Sequence, residues 1–342
     1  MMTVLMFLSN TVPQKSMETS NSFNCLDRGS EVTLRLPALF LTSLRTAKGV
    51  IDFFTANIRN RNTRRAYFRA ANDFSRWCQT HGLKDLVGVQ TVHVAAFIEE
   101  LQREHSVPTV RLHLSALRML FDFLVVQQVI PVNPGHSVRG PKHFVRAGMA
   151  KVLNMEETRR LLDSIEVDRL IGRRDRAIIA LMICCFARVG AAVKMRVEDY
   201  FVQGGKGWVR LHEKGNKTTS VPCHHQLDEM LEEYISDAGI ANDPKGLLFR
   251  TAADKTGTTL SERPMCQQDV HAMLRRRVAA AGIKTKVSCH SCRASGITAF
   301  LKGGGRLEAA QLMAGHESSR TTELYDRRPG EVSHEEVERI AI

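Results

Sequence analysis

Between residues 131 and 146 the chain carries Pro131, Pro134, Gly135, Gly140 and Pro141, overlapped by a basic stretch from Arg139 to Arg146. Proline removes a backbone donor and fixes φ, and glycine gives up helical stiffness, so regular structure is expected to stop here. A chain of 342 residues is long for one core, and this break is the natural place to divide it into two. The boundaries expected are a poorly ordered extension over 1–45, a helical domain over 46–135, a basic linker over 136–150 and a second domain over 151–342.

The two parts differ in pattern. Residues up to about Arg45 are mixed and rich in Ser, Thr and Asn, without sustained periodicity. From Thr63, Tyr67, Ala70, Ala71, Phe74, Trp77 and Cys78 recur at helical spacing with arginines between them, which predicts an amphipathic helix with a basic flank. A second helix is expected from Thr91 to Arg103, and a third capped by Thr109 and running through Leu124. Beyond the break, helices are expected from Asn154 or Met155 to Ile165, Arg174 to Ala187, Gln267 to Ala281, Cys292 to Leu301 and Leu307 to Met313. Trp208–Glu213 and Thr218–Val221 read as two strands, and the Gly and Asn of Lys214-Gly215-Asn216-Lys217 suit a tight turn between them. The fold class expected is mainly α with a small β-hairpin or sheet.

Charge narrows the partner. The formal net charge is +12, with 48 Lys and Arg spread along the chain rather than gathered in a tail, which favours a polyanion such as nucleic acid. The eight cysteines lack the spacing of a secreted disulfide scaffold and read as reduced thiols, so the cytoplasm is the expected compartment. Cys289-x-x-Cys292 has no second pair at zinc spacing, and His290 and Arg293 interleave with it. The longest apolar run, Ala177–Ala187, is too short for a membrane span, and Met1–Leu8 lacks a basic leader and a cleavage site.

The residues that carry chemistry lie late in the chain. His290-Ser291-Cys292-Arg293 precedes Gly315-His316, and Tyr325 stands nine residues beyond His316. Arg and His neutralise a phosphodiester, while a tyrosine hydroxyl can attack it and form a covalent intermediate. Arg188, just after an apolar helix, adds a second planar fork, and Lys214 at a hairpin tip could protonate a departing oxygen. Each alone has an ordinary reading: a solvated arginine, a turn lysine, a structural His–Arg pair, a helix C-terminus, a packed tyrosine. Their order and spacing together carry the argument.

That set resembles the tyrosine recombinase family, also called the phage integrase family, from roughly Lys48 to the end. The family's first arginine falls on Arg188 of Ala187-Arg188-Val189-Gly190, its hairpin lysine on Lys214, its His-x-x-Arg box on His290 to Arg293, its Gly-His on Gly315-His316 and its nucleophile on Tyr325 of Thr321-Thr322-Glu323-Leu324-Tyr325. Asn62-Thr63-Arg64-Arg65-Ala66-Tyr67 resembles the start of the family's helical, SAM-like core-binding domain. The resemblance implies a two-domain, C-shaped clamp on duplex DNA whose second, mixed α+β domain is catalytic. It further implies attack by Tyr325 to give a 3′-phosphotyrosine, with Arg188, Arg293, His290 and His316 stabilising the transition state, Lys214 as proton donor and His290 as candidate base. No ATP, divalent cation or other cofactor enters that chemistry. Arg64, Arg65, Arg111 and Arg118 are the expected DNA contacts of the first domain. The expected partners are double-stranded DNA, three further copies of the chain in a homotetramer on two DNA sites, and accessory DNA-bending proteins, with no membrane. Ser333-His334-Glu335-Glu336 forms a capping box before Val337, Ile340 and Ile342, so residues 332–342 are expected to act as a docking segment.

One position departs from the family pattern. Three residues after the first arginine the family usually carries an acid, one helical turn away, and here that position is Ala191. Arg188 is therefore expected to be less firmly oriented. Three functions stay open: an active site-specific recombinase, a binding-only relative impaired at Ala191, and a type IB topoisomerase with the same chemistry.

Overall fold

The structure, a computed structural model, describes residues 36–142, 151–213 and 217–326. Residues 1–35, most of the expected linker, Lys214 and the docking segment 332–342 lie outside the described residues. The chain divides into two compact units, Met1–Phe144 and Val145–Ile342.

The first unit is helical. Its main elements are α1 (Leu44–Asp52), α2 (Arg61–Thr80), α3 (Thr91–Glu104) and α4 (Val107–Val126), with a five-residue π-turn, Phe53–Asn57, after α1. The side chain of Asn60 opens α2 by accepting from the amides of Asn62 and Thr63. Phe74 of α2 packs edge-on against Phe97 of α3 and Phe121 of α4, which fixes the three helices around one aromatic centre. Thr109 lies inside α4 and does not cap it; Ser106 is the cap, because Pro108, lacking a donor, fits the first turn.

At both ends of its described stretch the first unit is better held than its sequence suggests. Leu39 and Phe40, within the expected loose extension 1–45, are buried in the same core. Full burial of such side chains contributes roughly 1.5–3 kcal/mol each, enough to order a short segment. At the other end Val138 is buried, and Arg118 donates from Nε to the carbonyl of Gly135 at 2.9 Å and from Nη2 to that of Val138. Residues 136–138, expected to begin the linker, are thus held against α4.

The second unit is built on two buried helices, α6 (Leu170–Cys184) and α10 (Cys289–Lys302). They approach closely because Gly296 faces the end of α6, where a Cβ would overlap the carbonyl oxygen of Ile183. Around them pack α5 (Met155–Asp163), α7 (Val189–Ala192), α8 (His225–Asp237), α9 (Gln267–Ala280), α11 (Leu307–Ala314) and α12 (Ser319–Glu323). A three-stranded antiparallel sheet runs β1 (Tyr200–Gln203), β2 (Lys206–His212), β3 (Thr218–Pro222), and a two-stranded one pairs β4 (Arg250–Ala252) with β5 (Leu260–Pro264). Gly204 and Gly205, both at positive φ, turn β1 into β2. The expected hairpin is present as β2–β3, in register His212↔Thr218, and is closed by the Glu213 amide donating to the Lys217 carbonyl at 2.7 Å.

A buried ionic cluster ties α6 to α9. Arg174 and Arg277 each bond Asp175, at 2.6 and 2.8 Å for their shortest contacts, and Arg174 also reaches the carbonyl of Arg250. Both oxygens of the buried carboxylate are thereby satisfied, as burial of a charge requires.

Candidate active site

α10 carries the first two site residues. Ser288 caps it, its hydroxyl accepting from the amide of Ser291, so the helix begins at Cys289 rather than Cys292. His290 and Arg293 therefore stand three residues apart on one face. Arg293 is 1% exposed. Its Nη1 donates to the carbonyl of Phe186, and its Nη2 to the carbonyl of Ala314 and, at 2.9 Å, to His316 Nε2. Phe186, just past the end of α6, has a left-handed φ of 53°. That conformation is unfavourable for a bulky residue, and here it occurs where a carbonyl meets the buried guanidinium.

The end of α11 places the histidine and the tyrosine. Gly315 caps α11 with a φ of 56°, a conformation glycine adopts without cost, and His316 follows at once. Because an arginine can only donate, His316 Nε2 must accept, so Nδ1 carries the proton and donates to Thr322 Oγ1 at 2.9 Å. The His316 ring lies nearly parallel to that of Tyr325, 12° between planes and 5.9 Å between centroids. Tyr325, after α12, is buried, its carbonyl accepts from Thr298 of α10, and its hydroxyl lies 3.0 Å from His290 Nε2.

Arg188 enters from the other side. It caps α7 at the N-terminal end, four residues past α6, and Nη1 pairs with Glu213 Oε2 at the end of β2. The Glu213 side chain is 7% exposed while that of Arg188 is 42% exposed, so the carboxylate is buried and the guanidinium keeps an open flank. Ala191 is buried one turn on and contributes only a methyl group. The expectation that Arg188 lacks an acid beside it is therefore corrected: Glu213, just past β2 and 25 residues further along the chain, pairs with it. Lys214 follows Glu213 directly and lies outside the described residues. Lys217, on the far side of the turn, pairs with Glu317 at 2.7 Å, beside His316.

The electrostatics follow from burial near two cations. Burial first, then Arg293 and Arg188, lower the pKa of His290, and the same causes with His290 push His316 down to about 4. Both imidazoles are neutral near pH 7, leaving His290 able to accept a proton. Burial raises Tyr325, opposed by Arg293 and Arg188. Arg293 is lowered to about 10, chiefly by burial and then by Arg188, and still stays charged at neutral pH.

Two other tyrosines of the second unit, Tyr200 and Tyr234, sit in different settings. Tyr200 donates to Asp228 and sits near Glu232, and Tyr234 is buried with its hydroxyl on the carbonyl of Leu248. Cys289 and Cys292 are both buried on α10, and Cys289 lies 3.3 Å from His271 Nδ1. Of the four arginines expected to contact DNA, Arg65 and Arg111 are exposed, whereas Arg64 donates twice to the carbonyl of Ile58 and Arg118 braces residues 135–138. Sequence reasoning missed Glu213 and Thr322 as parts of the site. Glu213 ends the expected strand Trp208–Glu213, but only the folded hairpin shows which way it faces.

Comparison with known proteins bears on both units. The phage integrase family model matches residues 151–329, and the model for the phage integrase N-terminal SAM-like domain matches residues 53–128. Tyrosine recombinase XerC of Vibrio vulnificus strain YJ016 is 29% identical over 270 residues, covering 77% of this chain and 80% of its own. Among solved structures, the XerH site-specific recombinase bound to its difH substrate superposes with a TM-score of 0.64 at 16% identity, over 89% of this chain and 96% of that one. A lambda integrase tetramer bound to a Holliday junction gives 0.60 at 18% identity, over 80% and 77%. With a family model spanning more than half its length, on the unit where two arginines, two histidines and a tyrosine converge, the chain belongs to the phage integrase family.

Proposed function

We propose that the chain is a site-specific DNA recombinase that cuts and rejoins duplex DNA through a 3′-phosphotyrosine at Tyr325. The observation that carries this reading is the 3.0 Å contact between the Tyr325 hydroxyl and His290, on a buried scaffold that also holds Arg293 and His316. Tyr325 Oη attacks the scissile phosphorus and its proton passes to His290 Nε2. The bond from phosphorus to the 5′ oxygen breaks, and Lys214, adjacent to Glu213, protonates that oxygen. Arg293 and Arg188 take the charge that grows on the non-bridging oxygens. Attack by a 5′ hydroxyl of a second duplex reverses the steps and exchanges strands, so the covalent link keeps the energy of the broken bond.

His316 acts mainly as an orienting group: it accepts from Arg293, donates to Thr322 and stacks on Tyr325. The assembly proposed is a homotetramer on two DNA sites, with Arg65 and Arg111 among the phosphate contacts of the first unit and accessory DNA-bending proteins as further partners. Residues 332–342 are proposed to dock on a neighbouring copy. Among the described residues no helix is long and apolar enough to cross a membrane, and we place the reaction in the cytoplasm.

The binding-only reading rested on Ala191, and the Arg188–Glu213 pair removes its motive. Trapping on nicked DNA tests the proposal: Tyr325→Phe should bind DNA as before and form no covalent adduct. An adduct at normal yield in that variant would assign the nucleophile to another residue.

A further inference from the structure

We propose that Glu213 is the positioning residue for Arg188, a carboxylate supplied by the β2–β3 hairpin that orients the guanidinium from the strand side. The inference rests on the recombinase reading and goes beyond it, since neither the order nor the spacing of the six site residues requires an acid at this position.

Four observations converge. Among the described residues Arg188 has a single carboxylate partner, Glu213, and Ala191, at the position one turn along α7, offers none. The Glu213 side chain is 7% exposed, so its charge is committed to a fixed partner rather than shared with water. The amide of Glu213 closes the hairpin on Lys217, so the residue is held at its backbone as well as at its carboxylate. Gly315 lies over the pair: a Cβ there would stand 3.8 Å from both Arg188 Nη1 and Glu213 Cγ, in ordinary contact. The pair is therefore enclosed by α7, β2 and the end of α11, and Arg188 keeps an open flank for a phosphate.

This placement changes what the acid does. A carboxylate on α7 would orient Arg188 from within its own helix, whatever the hairpin did. Here the carboxylate comes from the β2–β3 hairpin, so displacement of that hairpin takes it away from Arg188.

A double-mutant cycle read by single-turnover adduct formation on nicked DNA tests this. In the otherwise native chain Glu213→Gln should slow cleavage about tenfold or more at unchanged DNA affinity, the scale of an electrostatic donor thrown out of line. In an Arg188→Ala background the same substitution should change the rate less than about twofold, because the residue through which it acts is gone. Equal penalties in the two backgrounds would overturn the inference and assign Glu213 to the hairpin or to Lys214 alone. An unchanged rate for Glu213→Gln would overturn it as well. Thermal unfolding of each variant, at a temperature well above that of the assay, confirms that the chains compared are folded. If the unsubstituted chain forms no adduct with nicked DNA, the recombinase reading fails, a result separate from either outcome of the cycle.

Discussion

Arg293 and Arg188, both aimed at one phosphate in the proposed reaction, are held in opposite ways. Arg293 is 1% exposed, sits on a helix buried without a break from Ser291 to Thr298, and bonds two main-chain carbonyls and an imidazole. Arg188 has a side chain 42% exposed, and one carboxylate from a hairpin orients it. The first is fixed by the same packing that folds the unit, so its geometry cannot be changed without disturbing the core. The second is fixed by a contact at the rim of the fold, which can be adjusted at small cost in stability. One half of the site is thus preorganised, and the other is where activity can be tuned.

The largest effect should separate the halves outright. Arg293→Ala leaves the carbonyls of Phe186 and Ala314 without their donor, and at about 1–3 kcal/mol for each stranded group the loss should be roughly 3 kcal/mol or more, with cleavage abolished. Replacing both members of the rim pair, Arg188→Ala with Glu213→Gln, should lower cleavage by about 10²–10³-fold and stability by less than about 1 kcal/mol. Denaturant unfolding of the two proteins measures this, and similar losses of stability would erase the distinction.

Acid should reach the buried half next. His316 is held near 4 in the folded chain and returns to its ordinary value of 6.5 on unfolding, so the unfolded state binds the proton more readily. The stability tied to its neutral form is complete above about 6.5 and is lost progressively as pH falls toward 4. His316→Gln should flatten that part of the pH–stability curve. Cleavage should decline over an acidic range that lies below 6.5, since His290 is lowered too and must be neutral to accept a proton. An activity profile centred well above 6.5 would remove His290 as the base.

Smaller effects test the rim. Ala191→Glu should accelerate cleavage less than about twofold, because the guanidinium it would approach already has its carboxylate. A large gain would mean that Glu213 orients Arg188 poorly. Lys217→Ala removes an exposed pair with Glu317 and should cost only about 0.2–1 kcal/mol, with strand cleavage little changed.

The preorganised half was legible in the sequence, and the rim largely was not. His290, Arg293, Gly315, His316 and Tyr325 fall within 36 residues, and helical spacing alone places the first two on one face. The long helices of both units were readable for the same reason, since apolar periodicity sums over several turns. Glu213 escaped because its partner lies across a strand crossing, where one residue of register decides whether a side chain faces the site or the solvent. Arg64 and Arg118 each donate to a main-chain carbonyl, and composition does not tell a guanidinium that braces the fold from one that faces a phosphate or does both. α8 was missed although Leu227, Leu231, Tyr234 and Ile235 carry the helical spacing, while β4 and β5, at three and five residues, are too short to leave a pattern.

The bare backbone at Gly296 works as a gauge block. The separation between α10 and the end of α6 sets how far Arg293 stands from the segment leading to Arg188, and a hydrogen atom is all that lies between that helix and the carbonyl of Ile183. A spacing defined by hard contact is nearly indifferent to salt, buffer or temperature, unlike one defined by charge. Its tolerance runs in one direction only: the smallest possible thickening, a single methyl group, must force the helices apart, and no side-chain rearrangement elsewhere can machine the gap back.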